Sequence, residues 1–141
     1  MKAVLDSCVA VKTVLPEVDT PKAVRLLNEY RVGLHELLAP DVFPIEVAHA
    51  LSRAERRNVI RPPLGTKRLA AALRNAPVLH SYLPLLGRAY ALSSQARIGV
   101  YDCLYVALAE REGRALVTSD QRLLNALGGR FTFLVDLAAL S

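Results

Sequence analysis

Cysteine is scarce: Cys8 and Cys103 are the only two in 141 residues, and their spacing matches no metal finger. A disulfide scaffold is excluded, and free buried thiols are expected. No apolar run reaches the roughly 18 residues a membrane span needs, because a charge interrupts each one, so no membrane partner is expected. The opening MKAVLDSCVA meets an acid at position 6 and lacks a long apolar segment with a cleavage site. It does not read as a signal peptide, and the expected location is cytoplasmic. Low-complexity tracts and repeats are absent too, which removes disorder and solenoids. What is present is a chain with 52% apolar residues, 22% charged residues and only seven glycines, enough for one domain over 1–141 with a proper core. The net charge of +5 permits an anionic partner such as nucleic acid without demanding one.

Apolar runs alternate with helical patterns along the chain. KAVL at 2–5 reads as a buried strand feeding a helix through SCVAVKTVL, which Pro16 stops. Thr20 and Pro21 form an N-cap and N1 pair for an amphipathic helix that Gly33 closes. Residues 37–39 read as a second strand ended by Pro40. Asp41 is a candidate cap for the next helix, whose apolar stripe is Phe43, Val47, Ala50, Leu51 and Ala54. Arg61-Pro62-Pro63 reads as a loop, and helical stretches at 67–74 and 83–97 are expected to form a side layer. The segment between Pro77 and Pro84 has no clear pattern. After Gly99, YDCLYVALAERE is apolar almost all round, which predicts a central helix ended by Gly113. RALVTSD predicts a third strand, QRLLNAL a short helix, and RFTFLVDL a last strand. Such alternation predicts an α/β fold, a three-layer sandwich with a mainly parallel sheet of four or five strands.

Four of the thirteen acids stand where a merely solvated carboxylate would be odd. Asp6 and Asp120 end buried strands, at the edge where α/β proteins place ligand sites. Asp102 lies in the first turn of the nearly all-apolar helix, where a charge is costly without a partner. Glu46 begins a polar stripe that continues through His49, Arg53 and Arg57. Each acid alone is equally well read as a helix cap or a first-turn acid favoured by the dipole. Acids following strands that end on one edge of a sheet converge, however, and a convergent set without a matching lysine calls for a divalent cation. Oxygen ligands without zinc-type histidine or cysteine spacing indicate Mg²⁺ or Mn²⁺.

In order and spacing, VLDSCVAVKTVLPE, APDVFPIEVAHAL, YDCLYVALAE and LVTSDQRL together resemble the PIN-domain ribonucleases, specifically the VapC-type toxins of toxin–antitoxin pairs. The likeness runs from residue 2 to about 136. It implies that Asp6, Glu46, Asp102 and Asp120 are the acidic metal-binding quartet and that Thr118 is the site threonine. It further implies an RNA substrate, homodimers and a cognate antitoxin protein that blocks the site. Cys8 stands where relatives commonly have Ser or Thr, and His49 where Asn is common. The expected activity is Mg²⁺- or Mn²⁺-dependent endoribonucleolytic hydrolysis that leaves 5′-phosphate and 3′-hydroxyl ends.

The other readings belong to different classes. One is a PIN-like module that binds RNA or protein without appreciable turnover. Another is a phosphoacceptor receiver domain, which needs an acid pair after its first strand, where this chain has Asp6-Ser7. His49 reads as a surface residue beside Glu46 more readily than as a proton shuttle. Lys12 reads as part of a solvated helix face or as a family lysine. The run Arg53, Arg56, Arg57 and Arg61 reads equally as a charged helix end or as an RNA-contacting rim.

Overall fold

A computed structural model of the chain describes all of residues 1–141. Its elements, in chain order, are β1 (Lys2–Leu5), α1 (Ser7–Val14), α2 (Thr20–Arg31), β2 (Glu36–Pro40), α3 (Phe43–Arg56), α4 (Pro62–Arg74), β3 (Val78–His80), α5 (Leu86–Ala96), α6 (Val100–Glu112), β4 (Ala115–Thr118), α7 (Gln121–Leu127) and β5 (Leu134–Asp136). Short 3₁₀ turns cover Leu83–Leu85 and Leu137–Ala139. No helix is long and apolar enough to cross a membrane.

The strands form one sheet in the order β3-β2-β1-β4-β5, and every pair is parallel. From β1 the chain steps to β2 and β3 in one direction, then returns to β4 and β5 on the other side of β1. Right-handed crossovers therefore place α1 to α4 on one face and α5 to α7 on the other. The packing agrees: α1 lies against α2, α3 and α4, whereas α6 lies on β1, β2 and β4 with α5 behind it. Ala3, Val4 and Leu5 of β1 are all buried, as a strand covered on both faces must be. Cys103 through Ala109 of α6 are buried without a break, which explains a helix with no polar stripe. Gly113 ends that helix at φ 62°, a left-handed conformation that glycine adopts without strain.

Several local expectations are corrected. Asp41 does not cap α3: its Oδ1 accepts from the Tyr82 amide at 3.0 Å, tying β2's end to the loop after β3. Asp19, not Thr20, is the cap residue of α2, while the Thr20 hydroxyl accepts from the Glu17 amide and donates to the Lys12 carbonyl. Pro62 and Pro63 open α4 instead of forming a loop, since proline suits a helix's first turn. The patternless segment after Pro77 holds β3, an edge strand too short for a periodic signal. Of RFTFLVDL only Leu134–Asp136 pairs as a strand. The helices from 62 to 96 do not form one layer, because α4 packs on α3 and α1 while α5 packs on α6.

Candidate active site

The order of the strands reverses between β1 and β4, and in an open parallel sheet the crevice beyond such a switch point is where ligands bind. The Asp6 amide donates to the Val117 carbonyl at 3.0 Å, carrying the β1–β4 ladder one residue past the end of β1. Asp6 then caps α1 through a long contact from the Cys8 amide, at 3.5 Å. Asp120 caps α7, accepting from the Arg122 and Leu123 amides at 2.9 and 3.4 Å. Capping is thus real at both positions, and it sets both carboxylates on one edge. Thr118, fully buried at the end of β4, joins them. Its hydroxyl donates to Asp6 Oδ2 at 2.8 Å and accepts from the Asp120 amide at 3.0 Å.

Glu46 and Asp102 lie in the first turns of α3 and α6. In a parallel α/β fold helices run back against the strands, so their N-termini meet the same edge. The Tyr105 hydroxyl donates to Glu46 Oε1 at 2.6 Å. Neither oxygen of Asp102 is engaged by a donor of the protein, and Asp6 is only 4% exposed.

Burial raises the Asp6 carboxyl above its ordinary range; the Thr118 and Cys8 bonds offset part of the rise and the Asp120 charge adds to it. Glu46 is pushed up to about 7, first by burial, then by the charges of Asp6 and Asp102, against the Tyr105 and Ser7 bonds. Asp102 is pushed up to about 6 by burial and by Asp6 and Asp120. The four acids therefore share one electrostatic field. Arg122, which the sequence reading did not single out, draws Asp102 slightly down, so the cluster does have one cation nearby, though no lysine.

The remaining candidates separate by position. Cys8 Sγ accepts from the Ser119 amide and hydroxyl at 3.4 and 3.2 Å and lies 3.6 Å from Thr118 Oγ1. Burial and the Asp6 charge push its thiol up to about 12, so it is a neutral packing group behind Thr118. Cys103 is buried in the core, and both cysteines are free. Lys12 is not on a solvated face: it is 8% exposed, donates to the Val18 carbonyl at 3.0 Å and pairs with Glu17 at 3.2 Å. His49 is exposed on α3 and lines a groove beside Glu46.

No three His, Cys, Asp or Glu side chains are grouped closely enough in this conformation to hold a metal ion. The donor chemistry nevertheless suits a hard divalent cation. Each acid keeps at least one oxygen free of a short protein hydrogen bond: Asp6 Oδ1, Glu46 Oε2, Asp120 Oδ2 and both oxygens of Asp102. Tyr105 and Ser7 were missed from sequence. A signal existed for Tyr105, since it lies three residues after Asp102, on the same helical face.

The PIN domain family matches residues 3–128. The ribonuclease VapC3 of Pyrobaculum aerophilum is 34% identical over 125 residues, covering 87% of this chain and 92% of its own. Among solved structures, PAE2754 from the same organism superposes with a TM-score of 0.70 at 19% identity, over 98% of this chain and 93% of that one. A toxin–antitoxin complex from Klebsiella pneumoniae superposes with a TM-score of 0.62 at 14% identity, over 96% and 97% of the respective chains.

Proposed function

Since the chain belongs to the PIN domain family, we propose that it is a metal-dependent endoribonuclease and the toxin of a toxin–antitoxin pair, acting as a single cytoplasmic domain. The observation that carries this reading is the meeting of Asp6, Glu46, Asp102 and Asp120 at the carboxyl edge of the sheet around the β1–β4 switch point, with the Thr118 hydroxyl bridging Asp6 and the Asp120 amide. Asp6, Asp102 and Asp120 would hold Mg²⁺ or Mn²⁺ directly, and Glu46 would hold a second ion or orient the attacking water. A divalent ion bound there supplies charge neutralisation at the scissile phosphate and a water of lowered pKa. The protein's own part is positional. Thr118 orients Asp6 Oδ2 and the Asp120 turn, and Tyr105 fixes one oxygen of Glu46 so that Oε2 is left to accept a hydrogen bond from water. In this reading water attacks phosphorus and the bond to the 3′-oxygen breaks, with a proton passing to that oxygen, which leaves 5′-phosphate and 3′-hydroxyl ends.

Two partners belong to the same reading. The likeness to a toxin–antitoxin complex supports an antitoxin, which would lay an amphipathic helix on an apolar surface and offer a basic side chain to the acids. A homodimer is supported by the exposed Val78, Leu79, Tyr82, Leu83, Leu86 and Tyr90, which follow one another along the β3 edge into α5. The decisive experiment is RNA cleavage by the purified protein with Mg²⁺ or Mn²⁺. Asp6→Asn, Asp102→Asn and Asp120→Asn should each abolish it, with Glu46→Gln close behind. Cleavage in EDTA by a double variant of Asp6 and Asp102 would overturn the reading, and RNA binding without cleavage by wild type would favour the binding module.

A further inference from the structure

A groove of about 570 Å³ opens directly from the acid cluster, sharing Ser7 and Glu46 with it. Its walls come from α1, α3 and the start of α6, and two of its lining residues are large, apolar and unexplained by the core. Ile45 is 66% exposed and Tyr101 57% exposed. They are the immediate chain neighbours of Glu46 and Asp102, so the helix turns that place the acids place them as well. At its far end the groove passes His49 and Arg53 and runs into a shallower cleft lined by His49, Arg53, Arg56 and Arg57. None of these three arginines forms an ion pair. The carboxylate in the groove away from the cluster, Glu17, is already paired with Lys12.

An exposed aromatic ring leading into unpaired arginines is the arrangement that binds single-stranded nucleic acid, with bases on the ring and phosphates on the cations. A duplex keeps its bases stacked on one another and offers none to such a ring. Building on the nuclease reading above, we propose that this groove receives single-stranded RNA: the base next to the scissile phosphate packs on Tyr101 and Ile45, and the backbone leaves along Arg53, Arg56 and Arg57. A protein segment that brought a cation to the acids would be repelled by those same arginines, which argues for RNA over antitoxin here. A base stacked on any π-face is tolerated, so Tyr101 selects for unpaired structure more than for sequence.

The test uses a single-stranded RNA of about ten nucleotides carrying 5-iodouridine, with a hairpin of the same composition as control. Irradiated with the intact protein in EDTA, the single strand should crosslink to Tyr101, as located by mass spectrometry, and the paired stem should not. With Mn²⁺, Tyr101→Ala should raise KM for the single strand by about tenfold or more with kcat near wild type, from the usual contribution of one stacked base. Tyr101→Phe keeps the ring and should stay near wild type, and Ile45→Ala should give a smaller rise in KM. Wild-type cleavage combined with an unchanged KM in Tyr101→Ala and crosslinks elsewhere would overturn the groove proposal and leave the nuclease reading standing. A Tyr101 crosslink without cleavage by wild type would do the reverse. Loss of antitoxin affinity in Tyr101→Ala, with KM for RNA unchanged, would make the groove a protein-docking site and also overturn the proposal.

Discussion

The Tyr105 hydroxyl and Glu46 Oε1, 2.6 Å apart, link α6 to α3 across the carboxyl edge of the sheet. This bond favours the charged form of Glu46 and so restrains a carboxyl that burial drives upward. Tyr105→Phe removes the donor and leaves the ring. In EDTA at pH 8, where Glu46 is mostly ionised, the variant should lose about 1.5–3 kcal/mol of stability, the contribution of a hydrogen bond to a charged group. At pH 5 Glu46 carries its own proton, and the loss should shrink to about 1 kcal/mol. Urea melts at the two pH values measure this; equal losses would show that Glu46 does not titrate between them.

Thr118 uses its one hydroxyl twice, as donor to Asp6 and as acceptor from the Asp120 amide, in a fully buried position. Thr118→Val leaves both partners unsatisfied and should cost about 1–3 kcal/mol for each group stranded without a bond. Thr118→Ser keeps the hydroxyl and should retain more stability and more RNA cleavage than Thr118→Val. Equal activity in the two variants would remove Thr118 from the positioning of Asp6.

A carboxyl whose folded pKa is raised stabilises the fold most where both states are protonated. For Glu46 that contribution is complete below about pH 4.5. It declines as pH rises, because the unfolded chain gives up the proton first, and it is lost by about pH 7. Asp102 behaves likewise between its ordinary 3.8 and about 6. In EDTA, wild type should therefore lose stability relative to Glu46→Gln as pH is raised through this window, and the difference should level off above it. Thermal melts of both proteins from pH 4 to 8 give the curve, and parallel profiles would show that Glu46 has no raised pKa.

Metal should reverse the ranking of wild type and Asp102→Asn. In EDTA near pH 7 the variant loses one of the repelling charges at almost constant volume, so it should melt at the same or a higher temperature. With Mn²⁺ at 100 times its dissociation constant, wild type should gain about 2.7 kcal/mol and the variant little. Equal Mn²⁺ shifts in the two proteins would reduce Asp102 to a first-turn helix acid.

Much of the architecture is legible in local pattern. The alternation of short apolar runs with amphipathic helices, the Gly113 stop and the all-apolar stretch around Leu104 reflect backbone and burial preferences that operate within a few residues, and they specify a parallel α/β sheet with α6 at its centre. Asp6, Asp102 and Asp120 stand out as candidates for the same reason, because a carboxylate at the end of an apolar strand or inside an apolar helix is costly wherever the chain later goes, whereas Glu46 stands out only as the head of a polar stripe on its helix. Tertiary structure decided the rest. Only the order of the strands brings the ends of β1 and β4 together, so that Thr118 reaches Asp6 over a separation of 112 residues. Only packing turns Tyr105 from a core ring into the donor to Glu46, and Lys12 from a surface cation into a buried partner of Glu17 and the Val18 carbonyl. β3 has no signal in the sequence because a three-residue edge strand has too few positions for a period and its place comes from the neighbour it pairs with, and Asp41, expected to cap α3, instead accepts from the Tyr82 amide in the loop that follows β3.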